Sequence, residues 1–283
     1  MDITNLNVLK SLLSRFHIRP SEKLAQNFLV SRPALEEILA AADLKPEDIV
    51  LEIGAGVGTL TLSLAEHADR VFAIEKDARL TPPLRSLLRK NPKVQIINQD
   101  FLKVNVPELL ARNLTSPAGF KVVANIPYYI TGKILTALLA LRQKPVSIIL
   151  LVQKEVGERI CARAGDMSVL ALSVRYYGRP ELLGTVLAEA FFPKPKVDSV
   201  ILKITPFSEP ALASDPKRFF RLVKIGFASR RKTLENNLAA GLRVAKAAAA
   251  EIIARTELSP AVRAQELSLS DWKKLYDVVN EKS

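Results

Sequence analysis

The stretch Ile49-Val50-Leu51-Glu52-Ile53-Gly54-Ala55-Gly56-Val57-Gly58 decides how the chain is read. It opens with a short apolar, β-branched run, the mark of a buried strand, and closes with three glycines in five positions. Thr59, Leu60, Leu62 and Leu64 then follow a helix-like pattern, so the unit is strand, tight turn, helix. Glycine is needed where the backbone turns sharply and a ligand must lie against main-chain atoms with no Cβ in the way. A dinucleotide fingerprint would read G-x-G-x-x-G, with a pyrophosphate at the helix N-terminus. Here Thr59 stands where the third dinucleotide glycine belongs, and the glycines are at 54, 56 and 58. The plainest competing reading is an ordinary glycine-rich turn.

Outward from this unit, β-type apolar runs at 49–53, 70–75, 94–98, 120–124 and 147–152 alternate with helical ones, at the interval of βαβ units. Their near-continuous apolar character predicts a mostly parallel sheet covered on both faces. In such sheets ligands bind beyond the carboxyl ends of the strands. Those ends read Glu52 with Gly54, Glu75, Asp100 and Asn125. Any one of them could be a helix cap or a solvated turn; together they predict a shared hollow. The G-x-G-x-G spacing behind Glu52 is that of methyltransferases holding S-adenosylmethionine, a nucleoside ligand without phosphate.

Two further strands are expected at 182–187 and 199–204, as an antiparallel pair closing the sheet. Between them runs Phe191-Phe192-Pro193-Lys194-Pro195-Lys196-Val197-Asp198, a proline-stiffened basic and aromatic loop. The stretch 205–210 holds two prolines and reads as a linker, which predicts domains 1–205 and 206–283. Beyond the linker helices are expected to start at Asp215-Pro216, Ser259-Pro260 and Ser270-Asp271. Near the N-terminus Ser31 is expected to cap a helix with Pro33 in its first turn, while 23–29 shows no clear period.

The chain has 283 residues, 48% of them hydrophobic, which is enough for a large core and one smaller domain. No apolar run is long enough to span a bilayer, and no charged-then-apolar signal pattern opens the chain. The single cysteine, Cys161, forms no internal disulfide; with His17 and His67 it makes no familiar metal spacing, so no metal is expected. A reducing, cytoplasmic setting is the expectation. The net charge of +12, from 41 basic and 29 acidic side chains, suggests a polyanionic partner, because each neutralised phosphate releases counterions. Residues 206–283 carry 14 basic and 9 acidic groups, and 46–205 carry 21 and 15, so the excess is spread over both parts.

Asn125-Ile126-Pro127-Tyr128 follows the fourth strand. Adenine-N6 methyltransferases place this tetrad where the target base must sit. The exocyclic amine of adenine is a poor nucleophile because its lone pair is delocalised into the ring. An Asn oxygen and a neighbouring backbone carbonyl can accept both N6 hydrogens, fixing the amine's direction. Pro127 stiffens the turn. Tyr128 offers a flat face for the splayed base, worth about 1–3 kcal/mol. Glu75, about 20 residues past the glycine loop, suits acceptance from two ribose hydroxyls, and Asp100 from the amino group of the cofactor's adenine.

With these residues in place, the chain resembles the ribosomal RNA adenine dimethyltransferase A family over nearly its whole length. The resemblance is carried by Gln26-Asn27-Phe28-Leu29, Glu52–Gly58, Glu75, Asn125–Tyr128, Gln153-Lys154-Glu155-Val156, Pro195–Ser199, Arg230–Leu234 with Asn236-Asn237-Leu238, and Arg263–Ser268. It implies a class I, Rossmann-like methyltransferase fold with a seven-stranded, mostly parallel sheet and a small helical C-terminal domain that binds rRNA. It implies dimethylation of N6 on two adjacent adenosines in the 3′-terminal hairpin of 16S rRNA, within a pre-30S subunit, by a monomer. Asn27, Leu29, Glu52, Gly54, Gly56, Glu75, Asp100 and Asn125 would form the S-adenosylmethionine pocket. Phe191, with Phe192 as the neighbouring candidate, would stack on the base opposite Tyr128. Ala25, Ser31, Ala55 and Tyr129 depart from the family's usual residues, and Tyr129 stands beside the target pocket. Two rival readings are a 23S-directed adenine dimethylase of the macrolide-resistance type and a non-catalytic assembly or transcription factor on the same fold.

Overall fold

The structure is a computed structural model that describes residues 2–88, 91–111, 119–212 and 214–281. Its strands are β1 (Phe28–Leu29), β2 (Ile49–Ile53), β3 (Arg70–Glu75), β4 (Val94–Asn98), β5 (Phe120–Asn125), β6 (Ser147–Gln153), β7 (Gly178–Val186), β8 (Phe191–Phe192) and β9 (Ser199–Pro206). Seven of these form one sheet in the order β4-β3-β2-β5-β6-β9-β7. The strands from β4 to β6 in that order are parallel, and β9 runs antiparallel to β6. The chain fills the sheet from β2 outward to β4, then returns to β5 on the other side. The carboxyl ends of β2 and β5 therefore flank a topological switch point, where a crevice opens.

The strands form where the sequence offers uninterrupted apolar, β-branched residues, and all five residues of β2 are buried. Ser31 accepts a hydrogen bond from the Ala34 amide and starts the helix Arg32–Ala42. That helix and Thr59–His67 press Leu35, Ile38, Leu60 and Leu64 onto Val50, Val71, Val123 and Ile149. β5 carries a lysine inside its apolar run. Lys121, near the start of β5, is buried and pairs with Asp48 at 2.8 Å. Its ammonium also donates to the carbonyls of Ala42 and Asp43 at 3.3 and 2.6 Å. This cluster pins the amino ends of the strands, away from the crevice.

The short strands β1 and β8 make a separate two-stranded sheet, Phe28 opposite Phe192 and Leu29 opposite Phe191. Val30 extends it by donating to the Ala190 carbonyl at 2.7 Å. Two-residue strands carry no readable period, which is why 23–29 looked featureless.

Packing divides the chain into two units, one holding residues up to Gly157 plus Pro180–Pro206, the other Glu158–Arg179 plus Phe207 onward. The expected boundary at 205 and 206 assigned 158–179 to the first domain. The apolar side of the helix Val169–Tyr177 instead buries Ala171, Leu172 and Tyr176 with Phe219, Leu238 and Trp272 of the second unit. In chain order that helix lies with Lys154–Cys161 between two strands of the main sheet, β6 and β7, so spacing alone hides its allegiance. The second unit is helical, with Pro216–Gly226 capped by Asp215 and Leu269–Glu281 started by Ser268 and Asp271, each accepting from the other's amide. The helix expected at Ser259-Pro260 is absent. Val262 closes a turn onto Ser259 at 3.1 Å, and its carbonyl accepts from Leu234 at 2.8 Å. The backbone there serves packing between segments rather than a helical ladder.

Candidate active site

A hollow opens at the carboxyl ends of the strands, lined by Leu24–Leu29, Glu52–Val57, Ile74–Lys76, Gln99–Phe101 and Asn125–Ile130, among others. It brings together Asn27, Leu29, Glu52, Gly54, Gly56, Glu75, Asp100, Asn125, Pro127 and Tyr128. The glycine loop is held tight to its neighbours. Gly54 has φ +80°, and a Cβ there would lie 3.3 Å from the Asn125 carbonyl oxygen. Its amide donates to the Ile74 carbonyl at 2.8 Å. Gly58, at φ +99°, starts the helix Thr59–His67 without a side-chain cap. A Cβ on Gly58 would lie 2.8 Å from the Leu84 side-chain tip, so alanine here must shift that tip and also take up a strained left-handed backbone.

Glu75 joins the loop to the next strand end. One carboxylate oxygen accepts from the Gly56 amide at 2.8 Å and the other from the Asp77 amide at 2.7 Å. Burial pushes its pKa up, and those two amides hold it down. Asp100 accepts from the Leu102 amide at 3.1 Å and pairs with Lys76 at 2.8 Å. The hydrogen bond from Lys76 holds its carboxyl below the ordinary range. Lys76 was not among the expected site residues. The only signal for it is its place directly after the strand-end Glu75.

Glu52 is 1% exposed, and its Oε2 has no hydrogen-bond partner. Burial pushes its carboxyl up to about 8, a shift opposed by Thr61 and increased by Glu75. At neutral pH it is therefore predominantly protonated in the folded chain. Between its ordinary value of 4.5 and about 8, the unfolded chain ionises this group while the folded one keeps the proton. Its contribution thus favours folding least at and above the folded value and is neutral below the ordinary one. Glu52→Gln is expected to flatten the fall in unfolding free energy over that window, as measured by urea unfolding at pH 5, 6.5 and 8. An unchanged pH slope would show that Glu52 is ionised in the native protein.

Asn125 ends β5, and its Nδ2 donates to the Asn27 carbonyl at 3.1 Å. That bond fixes which way the amide is turned and leaves Oδ1 as the group available to a ligand amine. Pro127 leads into a short 3₁₀ turn, its carbonyl accepting from Ile130 at 3.2 Å. Tyr128 shares a hydrogen bond with the Ser199 hydroxyl at 2.7 Å, which ties the ring's far end to the first residue of β9. Tyr129 is 55% exposed at the rim.

Phe191 is not part of the hollow. It is 3% exposed and packs in the main core with Leu29, Ile201 and Val186. Strand pairing with Leu29 turns it inward, and a ring so covered cannot stack on a base in this arrangement. Phe192 is the half-buried member of the pair, with Lys10 5.2 Å from its ring centre. It too is absent from the lining of the hollow.

The lining suits a nucleoside without phosphate. Among the described residues Lys76 is its only cation, and that charge is committed to Asp100. Carboxylates, a neutral amide and closely approached glycines remain to meet sugar and base. No group of three or more His, Cys, Asp or Glu positioned for a metal ion occurs among the described residues. No helix among them is long and apolar enough to cross a membrane.

The profile of the family described as ribosomal RNA adenine dimethylase matches residues 18–281. The chain belongs to that family. Over 270 residues it is 42% identical to the ribosomal RNA small subunit methyltransferase A of Dehalococcoides mccartyi, covering 94% of this chain and 90% of the relative. Two crystal structures are similar at 26% identity. One is a dimethyladenosine transferase from Plasmodium falciparum, with TM-score 0.75 over 90% of this chain and 98% of the other. The second is the 23S rRNA methyltransferase ErmE, with TM-score 0.69 over 90% of this chain and all of the other. Membership agrees with the sheet order. The seven-stranded, mostly parallel sheet is that of a class I methyltransferase.

Proposed function

We propose that the chain transfers methyl groups from S-adenosylmethionine to N6 of two adjacent adenosines in the 3′-terminal hairpin of 16S rRNA. It does so as a monomer, in the cytoplasm, on a pre-30S small subunit. The reading rests on the family, on relatives named for the small subunit, and above all on the orientation of Asn125. With its Nδ2 held by the Asn27 carbonyl, its oxygen is free to accept from the target amine. The Ile126 carbonyl, next in the chain, is the candidate for the second N6 hydrogen. Holding both hydrogens aims the nitrogen lone pair and favours pyramidalisation. When bound, the cofactor supplies a methyl group already made electrophilic by a sulfonium, so no residue need act as a strong base. Gly54, Glu75 and Asp100 orient the nucleoside, and Asn27 and Leu29 close the pocket from the N-terminal side.

Tyr128 supplies the stacking face, and its burial raises the phenol pKa, so it stays neutral through the physiological range. Tyr128→Phe removes only the bond to Ser199 and is expected to cost about 1 kcal/mol of stability with turnover changed only a few-fold. Tyr128→Ala also removes the ring, and a further loss of about 1–3 kcal/mol in binding of the target base is expected. Steady-state kinetics on both variants separates the two effects; equal losses would mean that the hydroxyl, not the ring, matters.

The likeness to ErmE keeps the 23S reading testable. Purified protein with labelled S-adenosylmethionine is expected to label 16S rRNA in unmethylated small subunits and to leave 23S rRNA unlabelled. Label confined to 23S rRNA would overturn the assignment. Calorimetry with S-adenosylmethionine alone tests the non-catalytic reading, which predicts no binding.

A further inference from the structure

The second unit carries a basic groove that the proposed chemistry does not use. Lys217, Arg221 and Lys224 are all exposed on the helix Pro216–Gly226. Their spacing of four and three residues puts them on one helical face, spread over about 10 Å of its length. They line a single groove together with Tyr177, Phe220 and Ile225, and no acidic side chain lines it. Gly241 is what lets the helix Leu234–Leu242 form one wall, since a Cβ there would meet Ile225 at 2.3 Å.

Some cations of this unit are held in ion pairs; these three are not, and neither are Arg230, Arg231 and Lys232 among the described residues. In the same unit Arg218 pairs with Asp215, Arg255 with Glu281, Lys273 with Asp277 and Lys274 with Glu257. Lys217, Arg221 and Lys224 make no ion pair among the described residues. A row of like charges on one face raises the energy of the free protein, because nothing offsets the repulsion. The floor between them is aromatic. Phe220 and Tyr177 are half-buried and near parallel, at 25°, with centroids 6.3 Å apart.

We propose that this groove holds a segment of RNA backbone other than the target adenosine, the phosphates on Lys217, Arg221 and Lys224 and a sugar or base face on Phe220. The inference rests on the proposed function, since it takes the RNA to be the ribosomal substrate. A regular row of cations over an aromatic floor matches the regular charge and flat faces of a nucleic acid strand. It is also the source of part of the chain's basic excess that the hollow, with one committed lysine, does not use.

The test is the triple variant K217Q/R221Q/K224Q, checked for an unchanged melting temperature and compared with the charge-keeping K217R/R221K/K224R. Two readouts are taken: binding of a 16S 3′-domain transcript as salt is varied, and steady-state methylation of small subunits. The expected result is a salt slope lower by about two to three, given about 0.7–0.9 per phosphate contact. KM for the subunit should rise at least about 10-fold, with the loss falling on KM rather than kcat, and the charge-keeping variant should restore both. A folded triple variant with wild-type slope and KM would overturn the proposal. So would unchanged transcript binding beside a raised KM on subunits, which would point to an acidic protein occupant. Should the triple variant melt early, Arg221→Gln and Lys224→Gln are each expected to lower the slope by about one. If the wild type bound the transcript but methylated no small subunit, the functional reading would fail while the groove's own test still stood.

Discussion

Asn125→Ala is expected to lower turnover by about 100- to 1,000-fold, the range seen when one preorganised hydrogen-bonding group is removed from a reacting centre. Affinity for S-adenosylmethionine should fall only several-fold. The difference follows from what the side chain does. Its Nδ2 is spent on the Asn27 carbonyl, which leaves its oxygen for the role proposed above, accepting from the target amine. The mutation leaves Gly54, Glu75 and Asp100 in place, so the nucleoside keeps most of its contacts. Single-turnover rates together with calorimetric titration of the cofactor give both numbers. Turnover within ten-fold of wild type would mean that another group orients the amine.

The largest effect on stability is expected far from the chemistry, at Lys121. Lys121→Met should destabilise the chain by about 3–5 kcal/mol, because Asp48 is left buried with no counter-charge. The two side chains are 10% and 11% exposed, and Asp48 also accepts from the Lys45 amide at 2.6 Å. Adding Asp48→Asn removes the stranded charge and should recover a large part of the loss. Urea unfolding of the single and double variants measures this. Because the pair lies at the amino ends of the strands, cofactor affinity of the still-folded protein should match wild type. A loss under about 1 kcal/mol would mean that water reaches Asp48 and screens it.

These two residues also show what could be read in advance. Asn125 was legible because the strand before it is apolar, the turn after it carries proline, and strand ends are where parallel sheets bind ligands. Lys121 was not, since a lysine inside an apolar run gives no sign of whether it snorkels to water or finds an acid. Gly54, Glu75 and Asp100 stood out as polar or glycine residues at strand ends. What each of them touches in the protein, such as the Gly56 amide on Glu75 or Lys76 on Asp100, depends on how strands lie side by side.

Phe191 marks the same boundary from the other side. The sequence placed it in a basic, aromatic loop, and two aromatic neighbours in a loop leave open which one turns inward. Pairing with β1 decides it, and that pairing spans more than 160 residues of chain with only two residues per strand. The helix Val169–Tyr177 is a parallel case. Its apolar spacing announces a buried face, but only the positions of Phe219 and Trp272 show which core receives it.

The small sheet of β1 and β8 has a consequence for how the two reactants sense each other. On the proposed reading Leu29 and Asn27 lie on the donor side, and the loop from Phe191 leads to Ser199, whose hydroxyl holds the ring of Tyr128. Neither segment can be displaced without straining the other, because they share main-chain hydrogen bonds. Thermodynamic reciprocity then applies: whatever factor a seated nucleic acid imposes on the donor's dissociation constant, the donor imposes on the nucleic acid's. The order in which the two arrive therefore leaves the stability of the ternary state unchanged.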